Sequence, residues 1–195
     1  MMMKTIKVAA ACTLLMSASA ATADVLGFTG TVTGVSTLIG ADATCAPLQF
    51  RSVIDPASTV GHSTLGDFTY STNTCLSLGG ALSNGTFTMN FGADSFSGTF
   101  DGGSTPSDTP GISDTAWLFT VLSGTGRFAG ASGTFEGAGL ADARTRPTHV
   151  VIGFIGNINA PAVPEPASWA LMLLGFGGMG VIMRRGSKAS LPQVA

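Results

Sequence analysis

The chain has 195 residues, of which 10% are charged and 27 are glycine, and its formal net charge is −2. Nine basic residues against eleven acidic ones leave no basic patch of the kind that neutralises phosphates, which excludes nucleic acid as an expected partner. The mean hydropathy of +0.41 is inflated by the two ends of the chain and does not describe a membrane-embedded centre.

The N-terminus reads as an export signal. Lys4 and Lys7 form a basic start, Val8 to Ala20 is apolar and small, and Ala21-Thr22-Ala23 supplies an A-x-A site. Residues 1–23 are therefore expected to be a signal peptide, a helix cut before Asp24. Cys12 is not expected to carry lipid, because Ala9 stands where a large aliphatic residue is wanted and Thr13-Leu14-Leu15-Met16 still follows.

Residues 24–160 are long enough for one domain with a substantial core. Arg51, Arg127, Arg144 and Arg146 stand against ten acids between Asp24 and Asp142, a net of about −6. Cys45 and Cys75 are the only cysteines beyond the signal. An even pair in an exported chain reads as a disulfide, with two buried free thiols as the competing arrangement. Zinc competes poorly, since His62 and His149 lack close ligand spacing.

The patterning is period two. Phe28 and Val32 alternate with Thr29, Thr31 and Thr33; Phe87, Met89 and Phe91 with Thr86, Thr88 and Asn90; Phe96 and Phe100 with Ser95, Ser97 and Thr99; Trp117, Phe119 and Val121 repeat the scheme. Strands are expected near 25–35, 47–54, 65–71, 85–92, 94–101, 115–122, 131–140 and 148–158, separated by glycine-rich breaks. The expected fold is all-β: an antiparallel β-barrel or a two-sheet sandwich of about eight strands, flanked by the signal helix and a C-terminal transmembrane helix. Phe28, Val32, Phe87, Phe91, Phe119 and Phe135 take the apolar phase and are expected to be buried. Val150 to Ile155 is apolar on both faces, which makes that strand central or sealed between layers. Asp101 to Thr115, rich in Gly, Ser and Pro, reads as a long loop.

Chemistry is sparse. No Gly-x-Ser-x-Gly elbow occurs. His62 reads as a loop residue and His149 as a strand-edge residue. Asp94, Asp101, Asp108 and Asp114 lack an ordered calcium ladder and read as solvated acids; Asp142, Arg144 and Arg146 read as a solvated turn. No catalytic, cofactor-binding or metal-binding residue is assigned, and no cofactor is expected. The most distinctive internal stretch is Gly124-Thr-Gly-Arg127-Phe128-Ala-Gly130-Ala-Ser-Gly133-Thr-Phe135-Glu-Gly137, a tight bend running into a strand. It resembles a hairpin of dirigent and allene-oxide-cyclase-like barrels, which implies an apolar small-molecule site inside a barrel; no catalytic residue carries over.

Residues 161–166 form a Pro-rich spacer. Residues 167–183 carry no charge, and as a helix would span about 26 Å, close to a ~30 Å hydrocarbon core. Arg184, Arg185 and Lys188 follow, so 184–195 is expected to be a basic cytoplasmic tail. Pro164-Glu165-Pro166, Trp169-Ala170, the Leu171 to Leu174 apolar run, Gly175-Phe176-Gly177-Gly178 and Arg184-Arg185 occur in the order of the PEP-CTERM sorting signal of Gram-negative bacteria, which this tail resembles. The resemblance implies an exosortase-type membrane transpeptidase as partner. It also implies transient anchoring in the inner membrane by the C-terminus, followed by the cell surface or the extracellular space. The tail beyond Arg185 is ten residues, longer than the usual basic end.

Two functions fit. One is a non-enzymatic surface or matrix protein, with exopolysaccharide as an expected partner. The alternative is a small-molecule-binding β-barrel, isomerase-like in its chemistry. An interior packed with Phe and Val favours the first; an open apolar interior with convergent polar groups favours the second.

Overall fold

The computed structural model describes residues 23–161, 172–180 and 184. Nine strands run in chain order: β1 (Ala23–Ala41), β2 (Phe50–Ile54), β3 (Val60–Ser63), β4 (Thr69–Leu76), β5 (Ala81–Phe91), β6 (Asp94–Pro106), β7 (Ile112–Thr125), β8 (Ser132–Asp142) and β9 (Thr148–Pro161). All pairings are antiparallel, in the order β2-β4-β5-β6-β7-β8-β9-β1-β3, and β1 also pairs with β2. That extra pairing closes the sheet into a ring. β1 makes it possible because it is 19 residues long. One edge holds β9 from Ala23 to Ser36; the other holds β3 over Gly30–Thr33 and then β2 over Ser36–Ala41. A closed ring leaves few free strand edges to pair with another chain.

The period-two reading holds along the ring. Phe28, Val32, Phe87, Phe91, Phe119 and Phe135 are all buried, as their phase requires. They belong to a core that also takes Phe68, Tyr70, Met89, Phe96, Phe128 and Phe154. The rings meet mostly edge to face: Phe28 lies 5.0 Å from Phe135, and Phe87 lies 5.1 Å from Phe119. Each fully buried phenylalanine contributes roughly 1.5–3 kcal/mol from area alone. Gly137 makes room for this packing, because a Cβ there would sit 2.6 Å from the Phe119 ring.

Several expectations need correction. There are nine strands, since β3 was not expected, and the strand placed at 65–71 begins at Thr69. β3 escapes periodicity because it is four residues long, and it is held by main-chain bonds to β1 and by Gly61 against Phe68. His62 consequently lies on a strand and not in a loop. Asp101 to Thr115 is not a long loop: β6 and β7 stay paired as far as Pro106 opposite Ser113, leaving only residues 107–111 between them. Main-chain pairing needs no apolar side chain, so a polar, glycine-rich extension of a hairpin looks like a loop to a hydrophobicity pattern. β9 is central, between β8 and β1, which is the first of the two expected arrangements; its outward-facing Val151 and Ile155 are exposed.

Cys45 and Cys75 are bridged, with Cα atoms 5.3 Å apart. The bond ties the segment before β2 to β4. Beside it Asp42 caps a short turn: Thr44 donates to it through its amide and hydroxyl, and Arg51 donates through Nε. These donors hold the Asp42 carboxyl down at about 2.

Candidate functional site

The inward face changes chemistry along the axis of the ring. On β7 it runs Phe119, Trp117, Thr115, Ser113; on β4 it runs Tyr70, Thr72, Thr74; on β1 it passes from Phe28 and Val32 to Ser36. On β9 it runs Phe154, Ile152, Val150, Thr148. One end is therefore a solid aromatic plug, and the other is walled by hydroxyls.

The plug is completed by the glycine-rich stretch before β8. Gly126 and Gly130 take positive φ (57° and 74°), which turns Phe128 inward as a fully buried side chain. Arg127 lies flat on the outside. Its guanidinium is 4.7 Å from the Phe128 ring centroid and 5.5 Å from that of Phe91, it donates to the Leu65 carbonyl at 2.6 Å, and it pairs with Asp94 at 3.4 Å. The stretch thus closes this end.

At the other end the ring encloses an open cavity of about 510 Å³. That is within the range of small-molecule sites. Its floor is Tyr70, Phe100 and Ile152; Ile54, Val150 and Leu82 add apolar wall, and Ser52, Thr72, Thr74 and Thr115 bring hydroxyls. Tyr70 is tied down through its main chain, whose N–H donates to the Thr59 hydroxyl at 2.9 Å, and burial pushes its phenol pKa far up, so it stays neutral. Thr115 Oγ1 and Trp117 Nε1 belong to lining residues, are buried, and have no hydrogen-bond partner among the described residues. Among the described residues no carboxylate, imidazole or thiol lines the cavity, and the single charged lining residue is Arg146, in the turn between β8 and β9.

The sequence did not single out this site. Ser52, Thr72, Thr74 and Thr115 passed as ordinary strand residues. The available signal was the change from Phe to Thr and Ser on one phase of β7, which read as the start of a loop. His62 and His149 are exposed and lie on β3 and β9, on opposite edges of β1; His62 Nδ1 lies 2.7 Å from Asp67 Oδ1. Asp94 pairs with Arg127, and no group of three His, Cys, Asp or Glu gathers among the described residues. Ala23 opens β1. Ala21, Pro164, Glu165, Pro166, Trp169 and Arg185 lie outside the described residues, as does most of the expected signal helix and part of the expected membrane helix. Within the latter, residues 172–180 are helical; Arg184, just beyond it, is helical too. No helix among the described residues is long and apolar enough to cross a membrane.

Fold and tail together define a class: a ring-closed antiparallel β-domain followed by a C-terminal address. Residues 162–186 match the family model of the PEP-CTERM protein-sorting motif, so the chain carries that motif and with it the route of export and exosortase sorting. No curated protein and no solved structure matches the chain significantly.

Proposed function

We propose that this is an exported, exosortase-sorted protein whose β-domain is a non-enzymatic receptor for a small, mostly apolar molecule at the cell surface. The observation that carries the reading is the cavity: about 510 Å³, apolar at its floor, hydroxyl-lined on its walls, open to solvent at one end. A purely structural domain has no use for stopping its aromatic core halfway. Among the described residues the lining offers no ordinary general base, which supports binding over turnover and disfavours the isomerase-like alternative.

The topology supports a surface role. β9 enters the sheet at Thr148 beside the cavity and leaves it at Pro161, paired with Ala23 at the plugged end. Fourteen residues of strand separate the two, on the order of 45 Å. A domain tethered through residues 162–183, with its leader cut after Ala23, would hold its cavity away from the membrane. In this reading the exosortase acts on the tail, with Pro164, Glu165, Pro166 and Trp169 on the outer side and Arg184 and Arg185 on the inner side. Exopolysaccharide is then a neighbour in the matrix rather than the occupant of the cavity. Among the described residues the cavity presents no Asp, Asn, Glu or Gln of the kind that grips sugar hydroxyls.

The test is saturable one-site binding of a neutral apolar probe, N-phenyl-1-naphthylamine, to the full chain. Ser113→Trp, which fills the mouth from β7, should abolish it. Equal binding by the native and filled proteins would defeat the receptor reading.

A further inference from the structure

We infer that the occupant of the cavity is an apolar molecule ending in a carboxylate, and that Arg146 receives that carboxylate. The inference rests on the receptor reading above and specifies its ligand. It starts from the distribution of cations. The β-domain has four arginines among ten acids. Three arginines are committed to aspartates: Arg51 to Asp42, Arg127 to Asp94 and Arg144 to Asp142. The fourth, Arg146, makes no ion pair among the described residues, and it is the one that lines the cavity.

Its nearest carboxylate in sequence is taken. Arg144 grips Asp142 through Nε at 2.9 Å and Nη2 at 2.6 Å, and its amide donates to the same carboxylate at 3.0 Å. That grip holds Asp142 ionised, its carboxyl down at about 2. It also leaves Arg146, two residues on and followed by Pro147, at the rim with its donors unspent. An acidic domain that keeps every carboxylate out of its cavity lining and places one cation at the mouth favours an anion there and disfavours a cation.

A carboxylate fits the fork geometry of a guanidinium with two parallel hydrogen bonds, each stronger than a neutral pair. The wall can serve the same polarity: Thr72, Ser113 and Thr148 line it with hydroxyls that can donate to an anion. The interior asks for the opposite: apart from the Tyr70 phenol, Phe100 and Ile152 on the floor and Ile54 and Val150 on the wall offer nothing to a polar group. The ligand is thus apolar at the floor and anionic at the mouth.

Calorimetry on the full chain at neutral pH would compare octanoate, octan-1-ol and octylammonium, each below its micellar concentration. The native protein should bind octanoate about 10-fold or more tighter than octan-1-ol, and octylammonium more weakly than either. Arg146→Gln should bring octanoate to the level of octan-1-ol measured in the same variant, and Arg146→Lys should retain part of the preference. Equal affinity for octanoate and octan-1-ol in the native protein, or a preference that survives Arg146→Gln, overturns the assignment to Arg146 but leaves the receptor reading standing. Binding of all three that persists unchanged in Ser113→Trp, or absence of binding altogether, overturns the receptor reading itself. Should Ser113→Trp lose its far-ultraviolet β signature, Ala141→Phe on β8 serves as the cavity-filling control.

Discussion

Phe119 on β7 and Phe135 on β8 are direct cross-strand partners whose rings lie parallel, 4.7 Å between centroids and 4° between planes. Parallel rings touch at about 3.5 Å between planes, so a 4.7 Å centroid separation makes this an offset stack, one of the two arrangements aromatic pairs prefer. Phe87 and Phe154 approach the stack edge-on, at 5.1 and 5.6 Å from Phe119 and 5.5 and 5.8 Å from Phe135. The stack is the centre of the aromatic plug, beneath the cavity floor of Tyr70, Phe100 and Ile152. Phe119→Ala should therefore cost about 3–5 kcal/mol of stability, and Phe119→Leu clearly less. Urea unfolding of the disulfide-intact protein measures both; a loss below about 1 kcal/mol for the alanine variant would show that the plug is not the core.

Gly137 is the complement of that stack. A Cβ there would meet Phe119 at 2.6 Å and Phe154 at 3.4 Å, whereas at Gly153 the nearest atom is 3.7 Å away. Gly137→Ala is expected to destabilise by about 1–3 kcal/mol, the usual range for overpacking, and Gly153→Ala to be close to neutral. Equal thermal midpoints for the two variants would contradict the packing described.

The Cys45–Cys75 bond closes a loop with a sequence separation of 30. Replacing both cysteines by alanine should lower stability by roughly 3–4 kcal/mol on the chain-entropy account. The bond flanks β4 next to Thr74 and Leu76 of the cavity wall, so probe binding should weaken in the same variant. Parallel urea titrations and N-phenyl-1-naphthylamine titrations check the two effects.

Asp42 and Asp142 give the protein an acid-side dependence. Hydrogen bonds from Thr44 and Arg51 hold Asp42 down from 3.8 to about 2, and Arg144 does the same for Asp142. A depressed carboxyl adds stability that is fully present above its unfolded value and lost as pH falls through its folded value. Stability should then decline between about pH 4 and pH 2. In Asp42→Asn the urea midpoint should be lower at pH 6 and fall less steeply across that window. A slope identical to the native one would exclude Asp42 as a contributor.

Replacing Pro164-Glu165-Pro166 by three alanines tests the sorting address in the native host. Trimming and delivery to the surface should fail, and the protein should accumulate untrimmed in the membrane fraction. Mass spectrometry of the C-terminus reads the outcome; normal trimming would reduce residues 167–183 to a plain anchor.

Much of the fold is legible in the sequence. The tail was readable because Pro164-Glu165-Pro166, an uncharged span and Arg184-Arg185 form a linear order that needs no folding to be recognised. The core was readable because a strand repeats every two residues: placing Phe28, Phe87, Phe119 and Phe135 on one phase is a local deduction. The disulfide was readable because Cys45 and Cys75 were the only candidates left beyond the signal. β3 was not, since four residues are too few for a period to register, and neither was the continuation of β6 and β7, whose Gly, Ser and Pro content hides main-chain pairing.

What the sequence determined by itself was the alternation, the redox pair and the address. What only the tertiary structure decided was closure and content: that β1 is long enough to hold β9 on one edge and both β3 and β2 on the other, and that its hydroxyl-bearing end rolls into the same mouth as those of β4 and β7. Ser52, Thr74, Thr115 and Arg146 are far apart along the chain, and each is unremarkable alone. They become a site because ring closure brings them around one cavity, and pairing across a sheet depends on main-chain register over long separations rather than on any local pattern.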